Sequence, residues 1–246
     1  MELGSRVALV TGAGHRLGRA IALALGRRGM NVGVHCHRSR HEAEVTVHAL
    51  QELGVRGEIF PADLSDAAAA RDLPVRVAGS FGQLDVLVNS AGIMTRATVE
   101  ETTVEMWDQV HDLNLRAMFF TVQGALPWLR KARGRVINLA DVGGLEPWPQ
   151  YAAHCVSKAG VVMLTRTLAR ALAPDITVNA VAPGAVLPPE DWDAAALAHL
   201  AHLARTTPLQ RLGSPEDVTA AILYLLEGGD YVTGETLVVD GGRLIR

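Results

Sequence analysis

Short runs of branched apolar residues alternate along the chain with longer stretches in which apolar residues recur every three or four positions. The short runs are Val7–Val10, Val32–His35, Arg56–Phe60, Val86–Asn89, Arg135–Leu139, Thr177–Val181 and Thr236–Val239. Short, Val-rich apolar runs of this length read as strands. The periodic stretches predict helices over about 17–28, 40–53, 67–80, 104–132, 151–173 and 215–227. Alternation of strand and helix predicts an α/β fold of the Rossmann type, a doubly wound parallel sheet of about seven strands with helices on both faces. One domain spans 1–246, a size that α/β domains commonly reach. The longest irregular segment runs from Pro183 to about Asp191, after a strand, where open α/β sheets place ligands. Asp191–Arg205 then reads as a short helix rich in Ala, His and Leu, either a lid or a packed surface helix. The stretch 183–205 is therefore the candidate substrate pocket.

Composition narrows the picture. An apolar fraction of 49% can build a large core, and the net charge is −3. No basic stripe interleaved with aromatics occurs, which argues against a nucleic-acid partner. Cys36 and Cys155 form neither a metal spacing nor a disulfide framework, which fits a reducing compartment. No secretion signal and no bilayer-length apolar run is present, so a cytoplasmic protein without membrane contact is expected. His35, His37, His41, His48, His199 and His202 lack the acidic pattern of a zinc site and read as solvated positions. No metal is expected.

The chemistry starts at Thr11-Gly-Ala-Gly-His-Arg-Leu-Gly18, where a strand runs through a glycine-rich turn into a helix. A helix N-terminus offers N–H groups and partial positive charge to a phosphate, and glycine lets the backbone approach it. Gly12, His15, Arg16, Leu17 and Gly18 are the candidates for a dinucleotide pyrophosphate. About 20 residues later such folds read the adenosine ribose. Here no acid precedes Glu42, and His37, Arg38 and Ser39 stand there instead. A guanidinium and a hydroxyl suit a 2′-phosphate, so NADP(H) is expected. The alternative is a solvated basic turn capping the next helix. Asp63 could accept from the adenine amino group or cap the helix after Leu64. Asn89, Ser90, Ala91 and Gly92 form a small-residue turn that would let a cofactor lie across the strand ends.

Together with Asn114, Lys158, Pro183-Gly184 and Val232-Thr-Gly-Glu…Val239-Asp-Gly-Gly242, these motifs resemble the short-chain dehydrogenase/reductase family over essentially the whole chain. The resemblance implies a seven-stranded Rossmann-type sheet, hydride transfer from a nicotinamide, a small-molecule substrate, and a homo-oligomer, tetramer favoured. It implies that Lys158 bonds the nicotinamide ribose, that Asn114 holds a water in a proton relay, and that Pro183 and Gly184 close over the carboxamide. Many relatives carry threonine four residues after that glycine, where this chain has Pro188. More narrowly, Arg16-Leu-Gly18 with the 35–39 stretch resembles the pteridine reductase branch. In that branch an aspartate replaces the active-site serine, and Asp141 lies 13 residues before position 154 as expected.

The family's tyrosine, four residues before the lysine, is His154 here. Positions i and i+4 share a helix face, so His154 and Lys158 can still sit together. A free imidazole titrates near 6.5, so histidine can donate a proton at neutral pH. Asn114, Asp141, His154 and Lys158 are the candidate catalytic set. Loss of the serine hydroxyl tilts the reading toward substrates whose ring nitrogen takes the proton. Tyr151 lies about 10 Å of helical rise from Lys158, too far to replace the phenol directly, and reads as pocket wall or packing. Trp148 could stack on a flat substrate or anchor its loop. The expected activity is NADP(H)-dependent reduction of a small carbonyl or pterin-like C=N group. The alternative is an NADP(H)-binding subunit or sensor that has lost catalysis, and a non-redox enzyme of the same fold is a further rival.

Overall fold

The computed structural model describes residues 1–186 and 194–245. Seven strands, β1 (Val7–Val10), β2 (Asn31–Cys36), β3 (Gly57–Pro61), β4 (Val86–Asn89), β5 (Arg135–Leu139), β6 (Thr177–Pro183) and β7 (Thr236–Val239), form one sheet. Every pairing is parallel, in the order β3-β2-β1-β4-β5-β6-β7. The order reverses between β1 and β4, and a crevice opens beyond the carboxyl ends of such a pair.

The helices are α1 (Arg16–Gly26), α2 (Arg40–Glu52), α3 (Ala67–Phe81), α4 (Val104–His111), α5 (Ala117–Ala132), α6 (Ala152–Leu172), α7 (Ala194–Thr206) and α8 (Pro215–Glu227). Strand β1 shows how they are layered. Ala8 and Val10 join the core with Ile21, Leu25 and Ile222 from α1 and α8, whereas Val7 and Leu9 join Leu73, Leu129 and Leu168 from α3, α5 and α6. Successive side chains of a strand point to opposite faces, so a strand buried on both sides must be apolar throughout. No helix among the described residues is long and apolar enough to cross a membrane.

Three departures from the sequence reading bear on the site. The helix expected over 104–132 divides into α4, a π-helical turn (Asp112–Arg116) and α5. The wide turn sits where the fully buried Asn114 bonds to groups outside its own helix, and widened turns of this kind often mark functional positions. Strand β6 runs two residues past the expected end, so Pro183 closes the strand. The helix expected from Asp191 is described from Ala194 onward, with Leu200 and Leu203 buried. Pro188 and the rest of 187–193 lie outside the described residues.

Candidate active site

A cleft of about 1800 Å³ opens at the switch point between β1 and β4. Gly12, His15, Arg16, Leu17, Gly18, His37, Arg38, Ser39, Asp63, Leu64, Ser90, Ala91, Gly92, Asp141, His154, Lys158, Pro183 and Gly184 all line it. Asn89 and Asn114 do not. Leu200 and Leu203 of α7 close one side of the wall.

The glycine-rich turn is shaped by backbone needs. Gly12 has φ +67°, and a Cβ there would stand 3.0 Å from the Ala91 Cα. At Gly18 a Cβ would lie 2.1 Å from the Gly12 carbonyl oxygen, so α1 approaches the turn only through glycine. Arg16 has φ +52°, a left-handed conformation that costs a non-glycine residue about 1–2 kcal/mol. No side chain caps α1 at His15, so the first turn faces the cleft with its N–H groups uncapped.

His35 holds the turn in place. It is buried, not solvated as its residue type suggested. The Gly12 N–H donates to its Nδ1 at 3.0 Å, and its Nε2 faces the Ala62 carbonyl at 3.1 Å. That pairing assigns the proton to Nε2 and requires the neutral ring. Burial drives its pKa down to about 4, against the raising effect of the Ala62 carbonyl.

On the adenosine side, Arg38 is exposed at the end of β2. Ser39 is the N-cap residue of α2, yet its hydroxyl makes no cap bond. A Cβ on Gly14 would meet that hydroxyl at 3.0 Å, so the serine lies directly against the glycine-rich turn. Asp63 does not cap the following helix. Its Oδ1 accepts from the Ser65 N–H and hydroxyl at 3.0 and 2.7 Å, while Asp66 caps α3. These Ser65 bonds hold the Asp63 carboxyl below its ordinary pKa, and its Oδ2 faces His37 Nε2 at 3.8 Å.

At the end of β4 the reading of Asn89 is corrected. Its amide is buried, donating to Asn138 Oδ1 at 2.9 Å and accepting from the Thr121 hydroxyl at 2.8 Å. A buried amide must be satisfied, and this one is spent on joining β4 to β5 and α5. Thr11, absent from the sequence-derived set, fixes the neighbouring turn by accepting from the Ser90 and Ala91 N–H groups at 2.9 and 3.0 Å. Asn114 is likewise committed. Its Oδ1 accepts from the Ile93 N–H at 2.8 Å, and its Nδ2 donates to the Ile93 carbonyl at 2.9 Å and to Ser157 Oγ at 3.1 Å. Both amide hydrogens are therefore in use, and the side chain fixes the Ile93 backbone.

Lys158 is buried and donates to the Leu139 carbonyl at 2.7 Å. Burial lowers its pKa to about 8, opposed by the Asp141 carboxylate. His154 is also buried. Its Nδ1 stands 3.4 Å from the Ile93 carbonyl. Its Nε2 has no hydrogen-bond partner among the described residues and faces Asp141 Oδ1 at 3.8 Å. Asp141 Oδ1 is itself fixed by the Gly143 N–H at 2.7 Å. Tyr151 is the N-cap residue of α6 and lines the cleft. Trp148 lines the cleft and lies parallel to the His154 ring.

A parallel sheet with a glycine-rich turn at its switch point and a lysine-bearing helix across the cleft defines a dinucleotide-fold oxidoreductase. Residues 12–243 match the family described as Enoyl-(Acyl carrier protein) reductase. The chain belongs to the short-chain dehydrogenase/reductase family. It is similar to the 3-oxoacyl-(acyl-carrier-protein) reductase FabG of Staphylococcus aureus, 38% identical over 241 residues, covering 97% of this chain and 98% of the relative. It is also similar to 3beta-hydroxysteroid dehydrogenase 1 of Eggerthella lenta, 38% identical over 249 residues, covering 99% and 95%. Among solved structures, a blue fluorescent protein from a metagenomic library in complex with NADPH superimposes with a TM-score of 0.91 at 29% identity, covering 99% of both chains.

Proposed function

We propose that this protein is an NADPH-dependent reductase of small carbonyl compounds in which His154 delivers the proton. The observation that carries the reading is the His154 Nε2: buried, unpartnered among the described residues, on the cleft wall, and 3.8 Å from a carboxylate oxygen. A buried polar atom without a partner is costly and calls for a functional account.

The residues present fit the cofactor. The uncapped N-terminus of α1 and the turn at Gly12 would take the pyrophosphate. Arg38 and the unspent Ser39 hydroxyl would take a 2′-phosphate. Asp63 Oδ2 and Leu64 would border the adenine, and Gly92, Lys158, Pro183 and Gly184 the nicotinamide end. The bound nicotinamide supplies the hydride. The chain's own residues manage the charge that develops on the substrate oxygen. Protonated His154 donates from Nε2 to that oxygen, with Nδ1 directed at the Ile93 carbonyl that Asn114 holds in place. Asp141 steadies the charged ring before transfer, and the Lys158 ammonium keeps a positive charge beside the reacting oxygen.

A ketone substrate is supported by the two relatives, whose names point to a 3-oxo group and a 3-hydroxysteroid. The finer pteridine-reductase reading rests on Arg16 at the turn and Asp141 in the serine position, and it puts dihydropteridines in the substrate panel. A homo-oligomer, tetramer favoured, is supported by exposed apolar side chains on α5 and α6 (Phe119, Val156, Met163).

NADPH consumption across pH 5–9 with small ketones and dihydropteridines, for the native protein and His154→Phe, tests the reading. Turnover in the native protein that falls at least about 100-fold in the variant is expected, the scale of general acid catalysis. NADPH binding without turnover on any substrate would instead mark a cofactor-binding subunit or sensor.

A further inference from the structure

The side chain that replaces the phenol is smaller and needs its ring plane set from outside. After β7 the Asp240 carboxylate accepts from the Gly242 and Leu244 N–H groups, both at 2.8 Å. Gly241 and Gly242 adopt φ +66° and +89°, which no side chain would favour, and the chain folds back toward the cleft. This turn delivers Arg243, whose guanidinium pairs with Glu146 Oε1. The same oxygen accepts from the Trp148 Nε1–H at 2.7 Å. One carboxylate oxygen thus fastens both an arginine from the C-terminal turn and the indole beside the catalytic helix. The indole lies 6° from parallel with the His154 imidazole, ring centres 6.0 Å apart. It is backed by Gly143, where a Cβ would fall 2.9 Å from the indole Cζ3. Gly143 also supplies the N–H that fixes Asp141. The imidazole is therefore bordered by the indole and by the fixed carboxylate.

We propose that Arg243, Glu146 and Trp148 form a brace that sets the plane of the His154 ring, making them positioning residues for its proton transfer. The proposal rests on His154 as donor. The Arg243 and Glu146 side chains are mostly buried, so their pairing is less screened than a surface pair. Orientation of a reacting group carries a large share of enzymatic rate. Such a brace makes Arg243, from the turn after β7, a support of the candidate site.

The test uses two readouts on the full-length protein with imidazole ring labels. The first is NMR of the His154 ring protons, assigned by their loss in His154→Phe. The indole should shift them upfield by its ring current in the native protein. The second is kcat, with the KM for ketone and the Kd for NADPH measured alongside. Arg243→Met combined with Glu146→Leu removes the pair and the indole's acceptor without leaving a lone buried charge. In that variant the ring-current shift should collapse and kcat should fall about tenfold or more, while ketone KM and NADPH Kd stay within about twofold, as orientation rather than binding is lost. Trp148→Leu should do the same, and Trp148→Phe should restore most of kcat. A double variant that keeps both its shift and its kcat overturns the brace, as does a fall in kcat matched by an equal loss of NADPH binding. If His154→Phe is as active as the native protein, the donor reading fails and the catalytic part of the proposal with it. The NMR shift still decides whether the brace holds the ring.

Discussion

Lys158 and His35, both buried and both lining the cleft, carry opposite lessons about charge. Lys158 holds its proton at neutral pH despite burial, with a pKa of about 8, as the role proposed for its ammonium requires. His35 must stay neutral, because a proton on Nδ1 would turn the Gly12 N–H against a second donor. Its pKa of about 4 in the folded protein lies below the ordinary value of 6.5. Between those values the unfolded chain binds more protons than the native one, so stability falls as pH drops through this window. The contribution is fully present above pH 6.5 and lost as pH falls through 4, about 3 kcal/mol if the whole shift is realised. Urea unfolding of the native protein and His35→Gln at pH 7, 5.5 and 4 checks this. The variant should be less stable at pH 7, and the gap should narrow by pH 4. A gap independent of pH would show that His35 does not titrate in this range.

Elements reveal function through the capping bonds they leave unmade. Helix α8 begins with a complete capping box, Ser214 accepting from the Asp217 N–H and Asp217 from the Ser214 N–H. Helix α2 begins with Ser39, and the hydroxyl stays out of the cap. The same residue type at the same helical position thus does structural work in one helix and is left over in the other. Ser214→Ala should cost about 1 kcal/mol of stability, the usual value of a lost N-cap, with NADPH binding unchanged. Ser39→Ala should change stability by less than about 0.5 kcal/mol, weaken NADPH roughly tenfold through a lost bond to a charged phosphate, and leave NADH binding as it was. Chemical denaturation and cofactor titration on both variants separate these outcomes. Equal losses of NADPH and NADH affinity in Ser39→Ala would place the 2′-phosphate elsewhere.

At the scale of the whole molecule, the sheet was legible because burial on both faces makes the five central strands mostly apolar, while the edge strands β3 and β7, only partly buried, were placed by their shorter apolar runs and by the alternation with helices. The turns around Gly12 and Gly92 were legible for a related reason, since close approach admits only small residues. The site's supports were not. Asn89 stands in a cofactor-like motif, but only the fold shows its amide facing Asn138 and Thr121. His35 carried a usable signal, its place inside an apolar strand beside Val34 and Cys36, which argues for burial over solvation. The π-helical turn leaves no mark, because one widened turn barely shifts the 3.6-residue pattern. Glu146 and Arg243 meet across 97 residues of chain, a pairing that no local pattern encodes. Surface pattern has its own consequence for assembly. Helices α5 and α6 expose Phe119, Val156 and Met163, and a separate region on α8 and edge strand β7 exposes Tyr224 and Val238. The tetramer proposed above needs each of these regions to pair with its own copy, giving two kinds of two-fold interface, whereas pairing through one region stops at a dimer. The native protein should therefore sediment at four protomer masses. Phe119→Asp with Met163→Asp should reduce it to two by burying charge in one interface and sparing the other. A native protein that sediments as a monomer at micromolar concentration would mean that neither patch closes an interface between copies of this chain.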